Sequence, residues 1–324
     1  QLDAIVVDAK DFGLNFNFNI SYNRGKIDKL NGSSFWQSSS WAGTAAAGIE
    51  DFLVEEGGRL GEVYGYKTDG FYTANDFTFD AEKGTYALKE GVNDCSSLIG
   101  GKVYPGSIKL KANEDGEYKK ERLGTTVPTV SGGFGLNARW KGFDFTAFFN
   151  YSLGNKIVNA TKLGSSFYSG SSKNWNINDH FTSASRYSWI DSSTGTNLLS
   201  SASIKANGEA WTINRLNEIN SNASIWNPAA ATVMPLVDWA VEDGSFLRVN
   251  NITIGYTLPK LLVNKLNIQN IRIYVTGYNL HCFTKYSGTD PEVDCCTSTP
   301  MTPGIDYAAY PKSRSFVGGI NVTF

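Results

Sequence analysis

The chain has 324 residues, with 29 basic and 31 acidic side chains and a formal net charge of −2. Charged residues make up 19%, below the roughly 25% of an average soluble domain, and aromatics reach 13%. These values exclude a basic nucleic-acid binder and a disordered chain; no run of about 18 apolar residues exists to form a helical membrane span, which leaves a membrane β-barrel open.

The sequence starts Gln1-Leu2-Asp3-Ala4 without an initiator Met, a basic region or an apolar h-region. Either a signal peptide has been removed or the first residue lies inside a longer product. The first strong element follows. Phe12, Leu14, Phe16, Phe18, Ile20 and Tyr22 alternate with Gly13, Asn15, Asn17, Asn19, Ser21 and Asn23, a strict period of two that a helix cannot present as one face. One side is large and apolar and the other is neutral and rich in Asn, which suits lipid on one face and a solvated interior on the other.

Segments 46–56 and 60–75 read as the next two strands, joined at Gly57-Gly58-Arg59. After the polar stretch 76–126, Phe134, Leu136, Ala138 and Trp140 alternate with Gly135, Asn137 and Arg139. The chain turns at Lys141-Gly142 and resumes with Phe143, Phe145, Ala147, Phe149 and Tyr151, a tight hairpin with its aromatic faces in register. Trp140, Phe143 and Tyr151 are expected in the aromatic girdles at the membrane interface. A second polar stretch, 155–242, holds Trp175, Trp189, Trp211, Trp226 and Trp239. Strands then recur at 243–258 and 270–281, separated by a short Pro259-to-Asn270 connection, and at 314–324, which ends on Phe324.

Counting gives about eight strands: 11–28, 46–56, 60–75, 127–140, 143–157, 243–258, 270–281 and 314–324. Short turns alternate with long loops, as in an outer-membrane barrel whose short turns are periplasmic and whose long loops are extracellular. The expected fold is therefore all-β, a transmembrane antiparallel β-barrel. Asn15, Asn17, Asn19, Asn137 and Arg139 are the candidate lumen-lining residues.

Particular residues match a known family. Val63-Tyr64-Gly65-Tyr66-Lys67-Thr68-Asp69-Gly70-Phe71, Asp243 to Asn251, Gly255-Tyr256-Thr257-Leu258-Pro259, Gly277-Tyr278-Asn279-Leu280, Thr284 to Glu292 and Tyr310-Pro311-Lys312-Ser313-Arg314 occur in this order. Together they resemble the SusC/RagA-like TonB-linked outer-membrane transporters of Bacteroidetes. The resemblance implies a 22-stranded barrel with an N-terminal plug, of which residues 1–324 look like about eight C-terminal strands, without the plug domain or the TonB box. It implies import of an oligosaccharide or a peptide, with a SusD-like surface lipoprotein over the mouth, the TonB complex as energy source through the missing N-terminal part, and outer-membrane lipids around the wall. Missing strands are expected from another segment or chain. The alternative is a structural or passive barrel component without TonB-driven transport.

The remaining candidates divide by chemistry. Trp175, Trp189, Trp211 and Trp226 suit stacking on sugars, anchoring a lid, or packing the loop into a compact cap. Gly319, Val322 and Phe324 resemble the C-terminal signal read by the barrel-assembly machinery. Cys95, Cys282, Cys295 and Cys296 sit in a compartment that permits disulfides, and four cysteines allow three full pairings. Lys111-Ala112-Asn113-Glu114-Asp115-Gly116 has the Gly of a Ca²⁺ loop, but Lys111 and Arg122 occupy the first and twelfth ligand positions, so a solvated turn is expected. His180 and His281 stand in no catalytic arrangement; Asp238, Glu242 and Asp243 are clustered carboxylates of a kind a glycosidase uses, but Asp243-Gly244 belongs to the strand-entry motif, so an acid-base pair is not expected. No catalytic residue, metal or cofactor is assigned, and an enzyme is not expected.

Overall fold

A computed structural model describes residues 1–38, 50–168, 176–263, 268–295 and 300–324. Period-two patterning produces one dominant sheet of seven strands: β1 (Leu2–Asp8), β2 (Phe12–Tyr22), β3 (Val130–Trp140), β4 (Phe143–Leu153), β5 (Phe246–Thr257), β6 (Asn270–Thr284) and β7 (Ser315–Thr323). Each is antiparallel to its neighbour, in simple sequence order. The short connections 9–11, 141–142 and 258–269 lie at one end, and the long excursions 23–129, 154–245 and 285–314 at the other. This is an up-and-down wall of the kind that outer-membrane barrels use.

Register lines up one apolar face across all seven strands. One row runs Ala4–Phe16–Leu136–Ala147–Ile252–Gly277–Phe316, each residue paired with the next. The face is uncovered: Ile254 is 50% exposed, Ile320 65% and Phe316 69%. A patch this continuous in water would drive association; against lipid it is the stable arrangement. At the short-turn end Trp140 stacks on Phe143 (6.3 Å between centroids) and Phe143 meets Tyr256 (4.5 Å), an aromatic band of the kind found at membrane interfaces.

The strand count differs from expectation in two places. Segments 46–56 and 60–75 are not in the wall. Within them, Glu50–Val54 and Glu62–Gly65 pair with Phe35–Ser38 and Glu121–Thr125 in a separate four-stranded sheet, and Thr68–Phe71 pairs with Ile108–Leu110. Phe52, Val54 and Val63 are buried there, whereas a wall strand leaves its apolar face open. In their place Leu2–Asp8 forms the first wall strand. Its contiguous Ile5-Val6-Val7 hides the alternation, because a bulge between Ile5 and Val7 resets the register. Removing two strands from the long-loop end and adding one before a short turn preserves the alternation of short and long connections.

The described parts of the excursions 23–129 and 154–245 are not loose loops. They share an apolar core that includes Phe77, Ile99, Ile108, Leu163, Leu198, Leu216 and Met234, forming a cap on the long-connection end. Its main helix, Ser201–Ile219, starts with the Ser200 side chain accepting from the Ser203 amide and is kinked at Gly208, whose φ of 78° is a left-handed conformation.

Candidate functional site: the polar face of the wall and the cap above it

The face opposite the apolar one is built in rows by the same register. Asn15, Asn137, Thr146, Thr253 and Thr276 stand side by side on β2 to β6. The Thr146 hydroxyl donates to Asn137 Oδ1 (3.0 Å), and the hydroxyls of Thr253 and Thr276 are bonded at 2.8 Å. Asn17 and Asn19 lie further from the short turns on the same face, opposite Gly135 and Gly133, and Asn19 Oδ1 accepts the Gly133 amide at 3.1 Å. Uncharged donors and acceptors therefore tile the centre of this face.

Towards the short turns the next row runs Asp8–Gly13–Arg139–Asp144–Gly255–Tyr274–Gly319, one residue from each strand. Each glycine lies beneath a long neighbour. Arg139 crosses Gly13 to pair with Asp8. Arg272 crosses Gly255 to reach Asp144, with Nε 2.8 Å from Oδ1. The Tyr274 ring covers Gly319, where a Cβ would sit 2.6 Å from ring atoms. Here glycine serves close approach of side chain to backbone. A hollow of about 360 Å³ opens between the two rows, lined among others by Asp8, Asn15, Asn137, Arg139 and Thr146.

At the far end of the wall a bulge changes which face a cation occupies. Asn251 pairs with Phe148 and Val249 with the adjacent Phe149, leaving Asn250 as the extra residue of β5. Unbroken alternation with Ile252 and Ile254 would aim Arg248 into lipid; the bulge turns it to the polar face, opposite Asn150. There Arg248 is buried and pairs with Asp290 and Glu292, both at 2.5 Å, while Lys312 reaches Glu292 at 2.8 Å. The excursion 285–314 is thereby fastened over the polar side of the wall.

The five candidate lumen-lining residues, Asn15, Asn17, Asn19, Asn137 and Arg139, thus share one face. Sequence reasoning missed Asp8, Asp144, Arg272, Tyr274 and the threonine row. The phase of Arg272, Tyr274 and Thr276 against Ile271, Ile273 and Val275 was an available signal.

The tryptophans separate. Trp226 is buried, donates Nε1 to the Ser166 carbonyl (3.1 Å) and packs against Phe181 and Trp239. Trp189 donates to the Pro105 carbonyl (2.5 Å) beside Tyr104. Trp211 projects from the long helix and is 43% exposed; Trp175 lies outside the described residues. Gly319 sits under Tyr274, Val322 is on the apolar face paired with Ile271, and Phe324 is exposed beyond the end of β7.

Cys95 is buried as a free thiol, accepting from the Tyr72 hydroxyl at 3.5 Å, and burial pushes its pKa up. Cys282 is a free thiol on β6 opposite Arg248; Cys295 bonds its amide to Ile305, and Cys296 lies outside the described residues. In the Lys111–Gly116 turn, Asn113 Oδ1 accepts the amides of Asp115 and Glu117, and Arg122 pairs with Glu62.

No protein-family model matches the chain. Among curated proteins it is 28% identical over 328 residues to TonB-dependent receptor P3 of Formosa agariphila, covering 98% of this chain and 27% of that protein. It is 22% identical over 331 residues to TonB-dependent receptor SusC of Bacteroides thetaiotaomicron, covering 100% of this chain and 26% of SusC. Among solved structures, a chain of the RagAB peptide importer in its closed-closed state superposes with a TM-score of 0.61 at 21% identity, over 99% of this chain and 28% of that one. The RagAB peptide transporter gives 0.56 at 20% identity, over 99% and 28%. The chain therefore resembles SusC-like TonB-dependent receptors along nearly its whole length and has the fold of part of a RagAB chain. It spans about a quarter of the length of these relatives.

Proposed function

We propose that the chain is a C-terminal wall segment, with its extracellular cap, of an outer-membrane importer driven through TonB. The observation that carries this reading is the wall itself: seven strands whose register places a continuous, uncovered apolar surface on one face and a hydrogen-bonded polar surface on the other. Lipid covers the first and a solute passes along the second, past Asn15, Asn137 and the threonine row.

The wall is open. Among the described residues β1 pairs only with β2 and β7 only with β6. In hydrocarbon each unpaired backbone group costs several kcal/mol, so further strands complete the barrel on both sides. Those strands, a plug and the contact with TonB come from outside residues 1–324. The cap is the docking face for a SusD-like surface lipoprotein, with exposed Trp211 as an anchor. The transported solute is an oligosaccharide or a peptide. No covalent step is required of the protein.

Two measurements test this. In cell envelopes, cysteines introduced at Ile254 and Ile320 are expected to resist a hydrophilic maleimide, while cysteines at Asn15 and Asn19, exposed on the polar face, react; the reverse pattern overturns the wall assignment. Collapse of the proton-motive force is expected to stop solute uptake by cells that depend on the protein. Uptake that survives an uncoupler identifies a passive barrel component instead.

A further inference from the structure

At the long-connection end of β2 the chain does not simply leave the wall. The Asn23 amide donates to the Thr129 carbonyl (2.9 Å), Ile27 exchanges two backbone bonds with Gly57 and Gly58 (2.7 and 2.9 Å), and the Leu30 amide donates to Glu56 Oε1 (2.8 Å). This clasp leaves a hollow of about 290 Å³, lined among others by Arg24, Lys26, Ile27, Arg59, Leu60 and Val127. Three cations therefore converge on one small space. Among the described residues, the side chains of Arg24, Lys26 and Arg59 have no hydrogen-bond or ion-pair partner. The acids of the adjoining turn are occupied elsewhere: Glu55 accepts the Tyr64 hydroxyl (3.3 Å), Glu56 holds the Leu30 amide, and Glu62 pairs with Arg122 at 2.8 Å. Asp28 and Lys29, next along the segment, offset one another.

The level of the hollow restricts what can fill it. β2 spans 11 residues, Phe12–Tyr22, which matches the roughly 9–11 that a strand tilted by about 45° needs to cross the hydrocarbon. Tyr22, 66% exposed, is the last residue of its apolar face, and Arg24 continues the phase of Ile20 and Tyr22. Two residues at about 3.3 Å each put Arg24 no more than about 7 Å beyond Tyr22, within the polar headgroup layer of roughly 5–8 Å. Leu60, beside Arg59 in the hollow, is 48% exposed, so an apolar surface lies next to the cations.

We propose that this hollow is a headgroup site for a phosphorylated glycolipid of the outer leaflet, with Arg24, Lys26 and Arg59 around its phosphate. A phosphate monoester carries a charge of about −1.5 to −2 and three acceptor oxygens, so it satisfies several converging cations where a carboxylate satisfies one. Guanidinium groups fit those oxygens in pairs, and an ammonium adds a point charge. Free phosphate would neutralise the cations but leave Ile27 and Leu60 facing water. A lipid covers both, and it continues the lipid surface that already lies against Ile20 and Tyr22.

This assignment rests on the placement of the wall in the outer membrane, which the maleimide pattern at Ile254 and Ile320 tests separately. The probe is fluorescent diphosphoryl lipid A, titrated into detergent-solubilised protein in its native assembly. The same lipid stripped of its phosphates, and inorganic phosphate as competitor, form the other arms. Diphosphoryl lipid A is expected to bind, and the triple variant Arg24→Gln, Lys26→Gln, Arg59→Gln to bind it at least about tenfold more weakly. The stripped lipid is expected to bind the parent and the triple variant alike. Arg24→Lys with Arg59→Lys, which keeps the charges, is expected to retain most of the affinity, and separates loss of charge from loss of fold. Equal affinity of the parent for the two lipids, or equal affinity of the parent and a folded triple variant for diphosphoryl lipid A, overturns the assignment. So does displacement of the lipid by equimolar inorganic phosphate, which makes the hollow a site for soluble phosphate.

Discussion

Asp144 and Arg272 meet above the backbone of Gly255, on the strand between their own, and a Cβ there would lie 2.5 Å from Asp144 Oδ1 and 2.6 Å from Arg272 Nη2. The polar face thus gets charges that lie flat against the wall rather than project into the passage. Gly255→Ala displaces only the ends of two flexible, partly exposed side chains, so its expected cost is about 1 kcal/mol or less. Gly132 differs. A Cβ there would meet the Asn19 carbonyl and the Tyr151 ring, which lies across it to bond that carbonyl at 3.0 Å. Because backbone cannot give way, Gly132→Ala is expected to cost about 1–3 kcal/mol. Loss of heat-resistant electrophoretic mobility measures both, and equal effects would contradict the account.

Arg248 is the most consequential charge in the wall. Its guanidinium is buried against Asp290 and Glu292, and Asp290 is itself only 3% exposed. Arg248→Ala leaves that carboxylate buried without its counter-charge, at an expected cost of about 3–5 kcal/mol. Limited proteolysis should then cut within 285–314 while the hairpin at Lys141-Gly142 stays protected. Unchanged protection of that excursion would show that it is fastened elsewhere.

How legible this was in the sequence depends on period. Strands β2 to β7 announce themselves because lipid and water on opposite faces enforce strict alternation. Leu2–Asp8 is concealed by its bulge, and Glu50–Val54 and Glu62–Gly65 mislead because a doubly covered cap strand shares the β-forming composition of a wall strand. Asn15, Asn137 and Arg139 were readable from phase alone. Asp144 with Arg272, and Asp8 with Arg139, were not, since each pair depends on cross-strand register. The cap core was illegible for another reason: the long helix buries Ser203, Ile204, Thr212 and Leu216 around a glycine kink, too weak a stripe to stand out in a polar stretch.

The tryptophans permit a clean separation of packing from contact. Trp226 closes an aromatic cluster with Phe181 and Trp239, at centroid distances of 5.5 and 5.0 Å. Trp226→Ala is expected to destabilise the cap by about 3–5 kcal/mol. Trp211→Ala should stay within about 0.5 kcal/mol, as surface changes do, yet weaken capture of the lipoprotein partner if the exposed indole anchors it. Thermal unfolding and partner pull-down read the two effects independently, and a Trp211→Ala protein with normal capture removes Trp211 from the interface.

Acid should loosen the cap through Asp191. Its carboxylate receives Arg215 Nε at 2.6 Å, together with the Ser193 hydroxyl and amide at 2.6 and 2.9 Å, and these bonds, the guanidinium's first, hold its pKa well below the ordinary carboxylate range. The folded state therefore binds this proton more weakly than the unfolded chain does, whose carboxyl titrates near 3.9. The sign follows: the stabilisation is fully present above the unfolded value and is lost as pH falls through about 4 towards the folded value. Arg215 sits on the long helix and Asp191 in the short strand Ile190–Asp191, which pairs with Thr196–Asn197, so the loss is expected as reduced amide protection around residues 190–197 before the wall opens. Asp191→Asn should be less stable than the parent at neutral pH and should flatten the acid limb of the cap's melting curve; an unchanged slope below pH 4 would assign that limb to other carboxylates.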